Sequence, residues 1–341
     1  MTILHICPLD KFLPPFIEFV RKNIGIEDQL FFTYRSIKKY PYTPGPDAMH
    51  RDGKFSRYFS MFCQMYKSER IILHGLFDKF LVAGLFFQPW LLKKCFWLIW
   101  GYDLYIYEKA PKTFEWKIRE FFRRNVIKKM GFLVTSVDGD YQKAVEWYRP
   151  AGKRLAIYTY PASLYQELSS YQNDNNFVKI LLGNSADPSN NHEEALDKLA
   201  KFKDENIQIF CPLSYGNKTH ADKIIKLGKD VFGNKFTPMT RFMKLDEYNK
   251  FLSSIDILVF NHDRQQGMST VRVTLGMGKK VYLRDGISSY EMFQKNGIEI
   301  FPISDLNIDV DFHGKEKNIE QIRKSYSELA LINNLKFLFN Y

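Results

Sequence analysis

The sequence contains no run of 18 uncharged apolar residues. Its best candidate, Phe80 to Leu92, is too short and runs into Lys93 and Lys94, so no membrane-spanning helix is expected. The opening Met1-Thr2-Ile3-Leu4-His5-Ile6 lacks a basic leader and reads as a first strand, not a signal peptide. Cysteine is scarce, and Cys7, Cys63, Cys95 and Cys211 form neither a CxxC pair nor a zinc spacing, which fits reduced thiols in a cytosolic protein. Internal repeats and low-complexity tracts are missing. So are a zinc-finger spacing, a Gly-flanked aromatic RNA-binding signature and a helix-turn-helix, and nucleic acid is therefore not the expected partner.

What is present is globular. At 341 residues the chain exceeds what one compact core usually absorbs, so two domains are expected. The 30 Phe and 20 Tyr place some aromatics at binding surfaces. The net charge of +11 is confined to the first half: residues 1–160 hold 26 Lys/Arg against 15 Asp/Glu, and residues 161–341 hold 23 of each. Such asymmetry points to an anionic partner met by the first half, a membrane surface or a phosphorylated substrate. The segment Lys117 to Lys129 places Ile118, Phe121, Phe122 and Val126 at helical spacing among basic residues. Such a helix either lies on an anionic membrane or packs its stripe inward as an ordinary surface helix.

Short apolar, β-branched runs alternate with helix-length segments. They are Ile3–Cys7, Leu30–Tyr34, Ile71–Gly75, Phe96–Gly101, Phe132–Val137 and Leu155–Tyr160, then Val178–Gly183, Ile207–Leu213, Ile255–Asn261 and Val281–Arg284. That pattern predicts α/β architecture with two Rossmann-like, doubly wound domains facing across a cleft. The expected divisions are a first domain over 1–162, a polar linker over 163–176 and a second domain over 177–318. A C-terminal helix, 319–341, is expected to pack back across the junction. Residues 40–55, rich in Pro and Gly, read as a loop.

Three segments carry chemistry. In the first, a buried strand ends at Gly183 and is followed by Asn184, Ser185, Asp187, Ser189, Asn190 and His192. Gly183 admits a phosphate close to the backbone, and Ser189 or Asn190 is placed to cap a helix whose N-terminus binds anions; an ordinary strand-to-helix turn is the plain alternative. In the second, the strand to Asn261 leads into Arg264, Gln265, Gln266, Gly267 and Thr270. The Arg264 guanidinium suits a diphosphate. In the third, His74 ends one strand, and Trp97, Trp100, Gly101, Asp103 and Tyr105 follow another, with aromatics beside a carboxylate as in a sugar platform.

Together these blocks resemble the TDP-N-acetylfucosamine:lipid II N-acetylfucosaminyltransferases, the 4-alpha-L-fucosyltransferases of glycosyltransferase family 56, which act in enterobacterial common antigen synthesis. The resemblance runs from about His74 to Phe293. It implies a GT-B-type fold, an inverting mechanism and peripheral association with the cytoplasmic side of the inner membrane. It also implies a TDP-sugar donor and a polyprenyl-diphosphate glycolipid acceptor.

On this reading Gly183, Asn184, Ser185, Asp187, Ser189, Asn190, Arg264, Gln265, Gln266, Gly267 and Thr270 bind the donor, with His192 and Tyr215 as further donor-side candidates. Trp97, Trp100, Gly101 and Tyr105 line the acceptor side. Asp103 is the first choice of base and His74 the second. Asp138-Gly139-Asp140 has the DxD spacing but follows a first-domain strand, so no metal is expected. Two alternatives remain: a transferase using a UDP- or GDP-sugar for capsule or another surface glycan, and a non-catalytic two-domain binding protein.

Overall fold

A computed structural model describes residues 2–165 and 177–341. The chain divides into two units, Met1–Ala162 with Glu328–Tyr341, and Ser163–Ser327. The first holds β1 (Ile3–Pro8), β2 (Gln29–Tyr34), β3 (Ala48–His50), β4 (Arg70–His74), β5 (Cys95–Leu98), β6 (Phe132–Val134) and β7 (Lys153–Leu155). The second holds β8 (Val178–Leu182), β9 (Ile207–Pro212), β10 (Phe236–Met239), β11 (Ile257–Phe260), β12 (Lys280–Leu283) and β13 (Phe301–Pro302).

Both sheets are parallel, in the orders β3-β2-β1-β4-β5-β6-β7 and β10-β9-β8-β11-β12-β13. All residues of β1, β5 and β11 are buried. Continuous burial is what a strand covered on both faces requires, and it explains why these runs are apolar throughout instead of alternating. Strand order reverses between β1 and β4 in the first sheet and between β8 and β11 in the second. Ligands of open α/β sheets bind outside the carboxyl ends of strands at such reversals.

The sequence pattern passes over β3, β10 and β13. All three are edge strands of two to four residues. An edge strand pairs on one side only, so it needs no long apolar run. β3 lies inside the stretch read as a loop, whose end also opens the helix Lys54–Lys67. Among the described residues no helix is long and apolar enough to cross a membrane.

The C-terminal stretch is two helices rather than one: Lys315–Ser325 in the second unit and Glu328–Asn340 in the first. The latter is anchored by the Phe339 ring, set edge-on to His5 at 5.4 Å, and by Arg70 Nη1, which donates to the Phe339 carbonyl at 2.8 Å. Of the segment read as a linker, 166–176 lies outside the described residues.

Candidate functional site

In the second unit the strand reversal gathers the two blocks expected on the donor side, which stand some eighty residues apart in sequence. β8 pairs with β11, so the loops leaving their carboxyl ends start side by side. Gln266 Nε2 donates to Asn184 Oδ1 at 2.8 Å, and the Ser189 hydroxyl lies 2.9 Å from Gln266 Oε1. The buried Asn190 side-chain Oδ1 accepts from the Asn184 backbone amide at 2.9 Å and from His262 Nε2 at 2.8 Å.

Two glycines hold this lattice in conformations other residues avoid. Gly183 has φ +69°, and a Cβ there would stand 2.6 Å from His192 Nε2; Gly267 has φ +65°, and its Cβ would meet Phe260 at 2.6 Å and Asn184 Nδ2 at 2.9 Å. Gly267 opens the helix Met268–Gly276, which has no side-chain cap. Its N-terminus carries the positive end of the helix dipole, which suits an anion. Arg264 is buried nearby, with Nη2 at 4.0 Å from Asp187 Oδ2.

The first block differs from expectation in its capping. Asp187, not Ser189 or Asn190, is the cap: its carboxylate accepts from the Ser189 amide at 2.9 Å and caps the short turn Pro188–Asn190. Asn191 then takes a left-handed conformation, and the helix begins at His192 without a side-chain cap. Burial alone would raise the Asp187 pKa, but the Ser189 hydroxyl and amide, Arg264 and His262 together hold it below the usual carboxylate range.

Histidine enters the site more heavily than the sequence blocks indicate. His192 Nδ1 lies 3.1 Å from His220 Nε2, and burial lowers the His192 pKa to about 3, as it does that of His262. Buried atoms left without a hydrogen-bond partner collect here: His192 Nε2, Asn261 Oδ1 and Gln265 Oε1. Orphaned buried polar atoms are costly, and at a strand reversal they are what a polar ligand would satisfy. His262 and Asn261 follow β11 directly; their place at the end of a buried run is the signal that could have found them. Thr270 lies on the helix after Gly267, with its hydroxyl 3.4 Å from the Tyr248 hydroxyl. Tyr215 is exposed in the loop after β9, where its carbonyl accepts from the Ala186 amide at 2.8 Å.

In the first unit the structure separates the expected residues. Asp103 is 1% exposed, and its carboxylate accepts from Trp97 Nε1 at 2.7 Å, the Leu76 amide at 2.9 Å and the Trp100 amide at 2.9 Å. It is a buried clasp joining the turns after β4 and β5, and no face of it reaches solvent. His74 is also fully buried. Gln29 Oε1, 2.7 Å away, places the His5 proton on Nε2, so His5 Nδ1 accepts from His74 Nε2 at 3.1 Å. His74 Nδ1 in turn accepts from the Tyr160 hydroxyl at 2.5 Å, which leaves His74 no vacant nitrogen with which to take a substrate proton.

Trp97 and Tyr105 are core residues rather than acceptor platforms: Trp97 sits in a strand covered on both faces, and the Tyr105 hydroxyl donates to buried Asp140 at 2.9 Å. Gly101 is buried as the cap of the helix Tyr102–Lys109. Trp100 alone of the four keeps an open surface, and its indole donates to Tyr160 at 2.8 Å.

A carboxylate that the sequence reading passes over stands at the first sheet's reversal. Asp10 follows β1 and is half-buried, accepting from the Phe12 amide at 2.8 Å. Burial raises its pKa to about 6, against the lowering effect of the Phe12 amide, Lys11, the Leu13 amide and Arg35. The Phe12 ring meets the Trp100 indole edge-on at 5.7 Å, so the Asp10 turn and Trp100 are neighbours. Its only signal in the sequence is that it is the first acid after the first strand.

The Asp138-Gly139-Asp140 pair is occupied. Asp138 bonds Arg154, and Asp140 accepts from Tyr105. Among the described residues no group of three His, Cys, Asp or Glu side chains is placed to hold a metal ion.

A family model described as 4-alpha-L-fucosyltransferase, glycosyl transferase group 56, matches residues 51–340. Solved structures similar to the chain are glycosyltransferases and related enzymes. The Anabaena protein HepE, in complex with UDP and glucose, is 8% identical over 100% of both chains with a TM-score of 0.71. The lipopolysaccharide outer core galactosyltransferase WaaB, in its apo form, is 11% identical over 100% of this chain and 99% of its own, with a TM-score of 0.66. A glycosyltransferase from Rickettsia africae is 14% identical over 99% and 97%, with a TM-score of 0.65. At such identities the likeness establishes the fold, which is GT-B-type.

Proposed function

The chain belongs to the 4-alpha-L-fucosyltransferases of glycosyl transferase group 56, and from that premise we propose that it transfers an N-acetylfucosamine-like 4-acetamido-4,6-dideoxyhexose from a TDP-sugar to a polyprenyl-diphosphate-linked saccharide, with inversion. The reading places it peripherally on the cytoplasmic side of the inner membrane, in surface polysaccharide synthesis of the enterobacterial common antigen type. The observation that carries the donor half is the junction of Asn184, Ser189 and Gln266 beside an uncapped helix N-terminus and Arg264.

In this mechanism the acceptor hydroxyl attacks the anomeric carbon as the bond to the diphosphate oxygen breaks. Charge growing on the departing TDP is met by the amides opening Met268–Gly276 and by Arg264, held close by Asp187. Asp10 takes the acceptor proton: it is ionised at neutral pH and still basic enough, with a pKa of about 6, to accept it. It precedes the residues matched by the family model, so its assignment rests on geometry. Trp100 offers a ring face to the acceptor sugar, and Asp103 fixes the turn that presents it. With Arg264 and helix amides meeting the leaving group, the reaction is proposed to need no metal, and chelation by EDTA is expected to leave it intact.

The test is thermal stabilisation by TDP, UDP, GDP, CDP and AMP, followed by the anomeric configuration of the product. A ligand at 100 times its dissociation constant adds about 2.7 kcal/mol. Selective stabilisation by TDP and an inverted product support the reading; preference for UDP or GDP, or a retained anomer, rejects it.

A further inference from the structure

The first unit turns an apolar surface outward along the helix that follows β3. The helix Lys54–Lys67 buries Met61 and Met65, yet it turns a second stripe outward: Phe55, 88% exposed, Phe59, 68% exposed, and Tyr66, at i, i+4 and i+11. An open groove of about 410 Å³ runs along this stripe, lined by Phe55, Tyr58, Phe59, Phe62 and Tyr66.

The surface continues across neighbouring helices. Trp90 Nε1 donates to the Tyr66 hydroxyl at 3.2 Å, and Gly84 leaves room for the Phe62 ring. Phe86 touches Phe87 at 5.2 Å and Phe121 at 5.5 Å. The helix Phe114–Lys128 packs Val126 and Ile127 inward but turns Phe114, Ile118 and Phe121 outward.

Charge selects the occupant. The helix Lys54–Lys67 and the stretch Lys79–Lys94 carry six basic residues and no acidic one. A second copy of the chain would set this face against itself in a two-fold dimer, lysine against lysine. Exposed aromatic rings beside lysines suit the boundary between lipid headgroups and acyl chains, where rings enter the apolar layer and ammonium groups stay at the phosphates.

We propose that this face is a docking surface for an anionic phospholipid bilayer, entered by Phe55, Phe59, Phe87 and Trp90, with Lys54, Lys67 and Lys93 at the headgroups. This deepens the peripheral-enzyme reading and rests on it for the identity of the membrane. It adds that insertion of the aromatic face, beyond basic charge in the first half, supplies the attachment.

The test is co-sedimentation of the full chain with phosphatidylcholine vesicles, with and without about 30% phosphatidylglycerol. The expected result is binding to the anionic vesicles that falls at least about tenfold in Phe55→Ser/Phe59→Ser and in Phe87→Ser/Trp90→Ser. The single variant Lys67→Glu weakens binding and reduces its salt dependence. Exposed positions leave the thermal midpoint and transfer to a water-soluble acceptor analogue unchanged. Absence of binding by the unmodified chain, or equal binding by the aromatic variants, overturns the proposal. So does a dimer that these variants convert to monomer. Loss of transfer to the soluble analogue by the unmodified chain counts against the transferase reading instead, whatever the vesicles show.

Discussion

Gln266 Nε2 donates to Asn184 Oδ1 at 2.8 Å and thereby joins the loop after β8 to the loop after β11. Its Oε1 lies 2.9 Å from the Ser189 hydroxyl, so one side chain braces both ends of the first block. Gln266→Ala removes both ties while sparing the helix amides. TDP affinity measured by calorimetry is expected to fall about tenfold, the worth of one or two hydrogen bonds. Unchanged affinity would show that the brace does not shape the nucleotide site.

Gly183→Ala is expected to do more damage than its one added methyl implies. The Cβ would stand 2.6 Å from His192 Nε2, and the backbone is left-handed at φ +69°. A cost of about 1–3 kcal/mol in urea unfolding is expected, together with loss of nucleotide stabilisation. A variant as stable as the parent that still binds TDP would mean the turn relaxes freely.

Asp10→Asn should lower kcat by about 10²–10⁴ with little change in TDP affinity, because the carboxylate is assigned to the acceptor proton and not to the donor. The base must be ionised, so kcat/KM of the parent should fall as pH drops through about 6, and that limb should vanish in the variant. Activity within a few-fold of the parent would remove Asp10 from the mechanism.

Asp103 carries a different expectation. In Asp103→Asn one carboxylate oxygen becomes an NH₂ group that must face a donor, Trp97 Nε1 with the Leu76 amide or the Trp100 amide. Destabilisation of about 2–4 kcal/mol is expected, visible in denaturant midpoint before any assay of transfer. A fully stable variant with no turnover would instead mark Asp103 as chemically active.

Acid should unfold the protein early. Burial lowers the His5 pKa to about 4, against the opposing bond to Gln29, and lowers His192 and His262 to about 3. The unfolded chain therefore binds more protons than the folded one once pH drops below about 6.5, and stability is lost progressively from there as pH falls through the folded values. For His5 alone the loss is on the order of 3 kcal/mol. Asp10, raised to about 6, works in the opposite sense between about pH 4 and 6 and offsets part of it. Urea midpoints from pH 7 to 4.5 check this; a midpoint that holds or rises across the range contradicts it.

Much of the fold was legible because burial on both faces demands it. β1, β4, β5, β8 and β11 are strands the apolar runs announce, and Gly183, at the end of one such run, marked a loop expected on the donor side. The same property hid which first-unit side chains face a turn. In a strand covered on both faces there is no alternation to separate a side chain aimed at the core from one aimed at a turn. Trp97 and Trp100 therefore look alike in sequence, while one is core and the other keeps an open face. Asp103 and Asp10 look equally available as acids after strands, and only packing shows three donors closed around the first.

The sequence by itself determined two parallel α/β units, the basic excess of the first, and the loops rich in glycine and polar residues after β8 and β11. Local composition suffices for these, since strand burial, helix periodicity and turn conformation are properties of neighbouring residues. The tertiary structure alone decided that Asn190 meets His262 across 72 positions, that Asp103 is a fully buried clasp while Asp10 is half-buried, and that an aromatic face remains uncovered beside lysines. Those outcomes depend on which strand ends lie adjacent and which side chains fill the space between layers, and chain order does not encode either one locally.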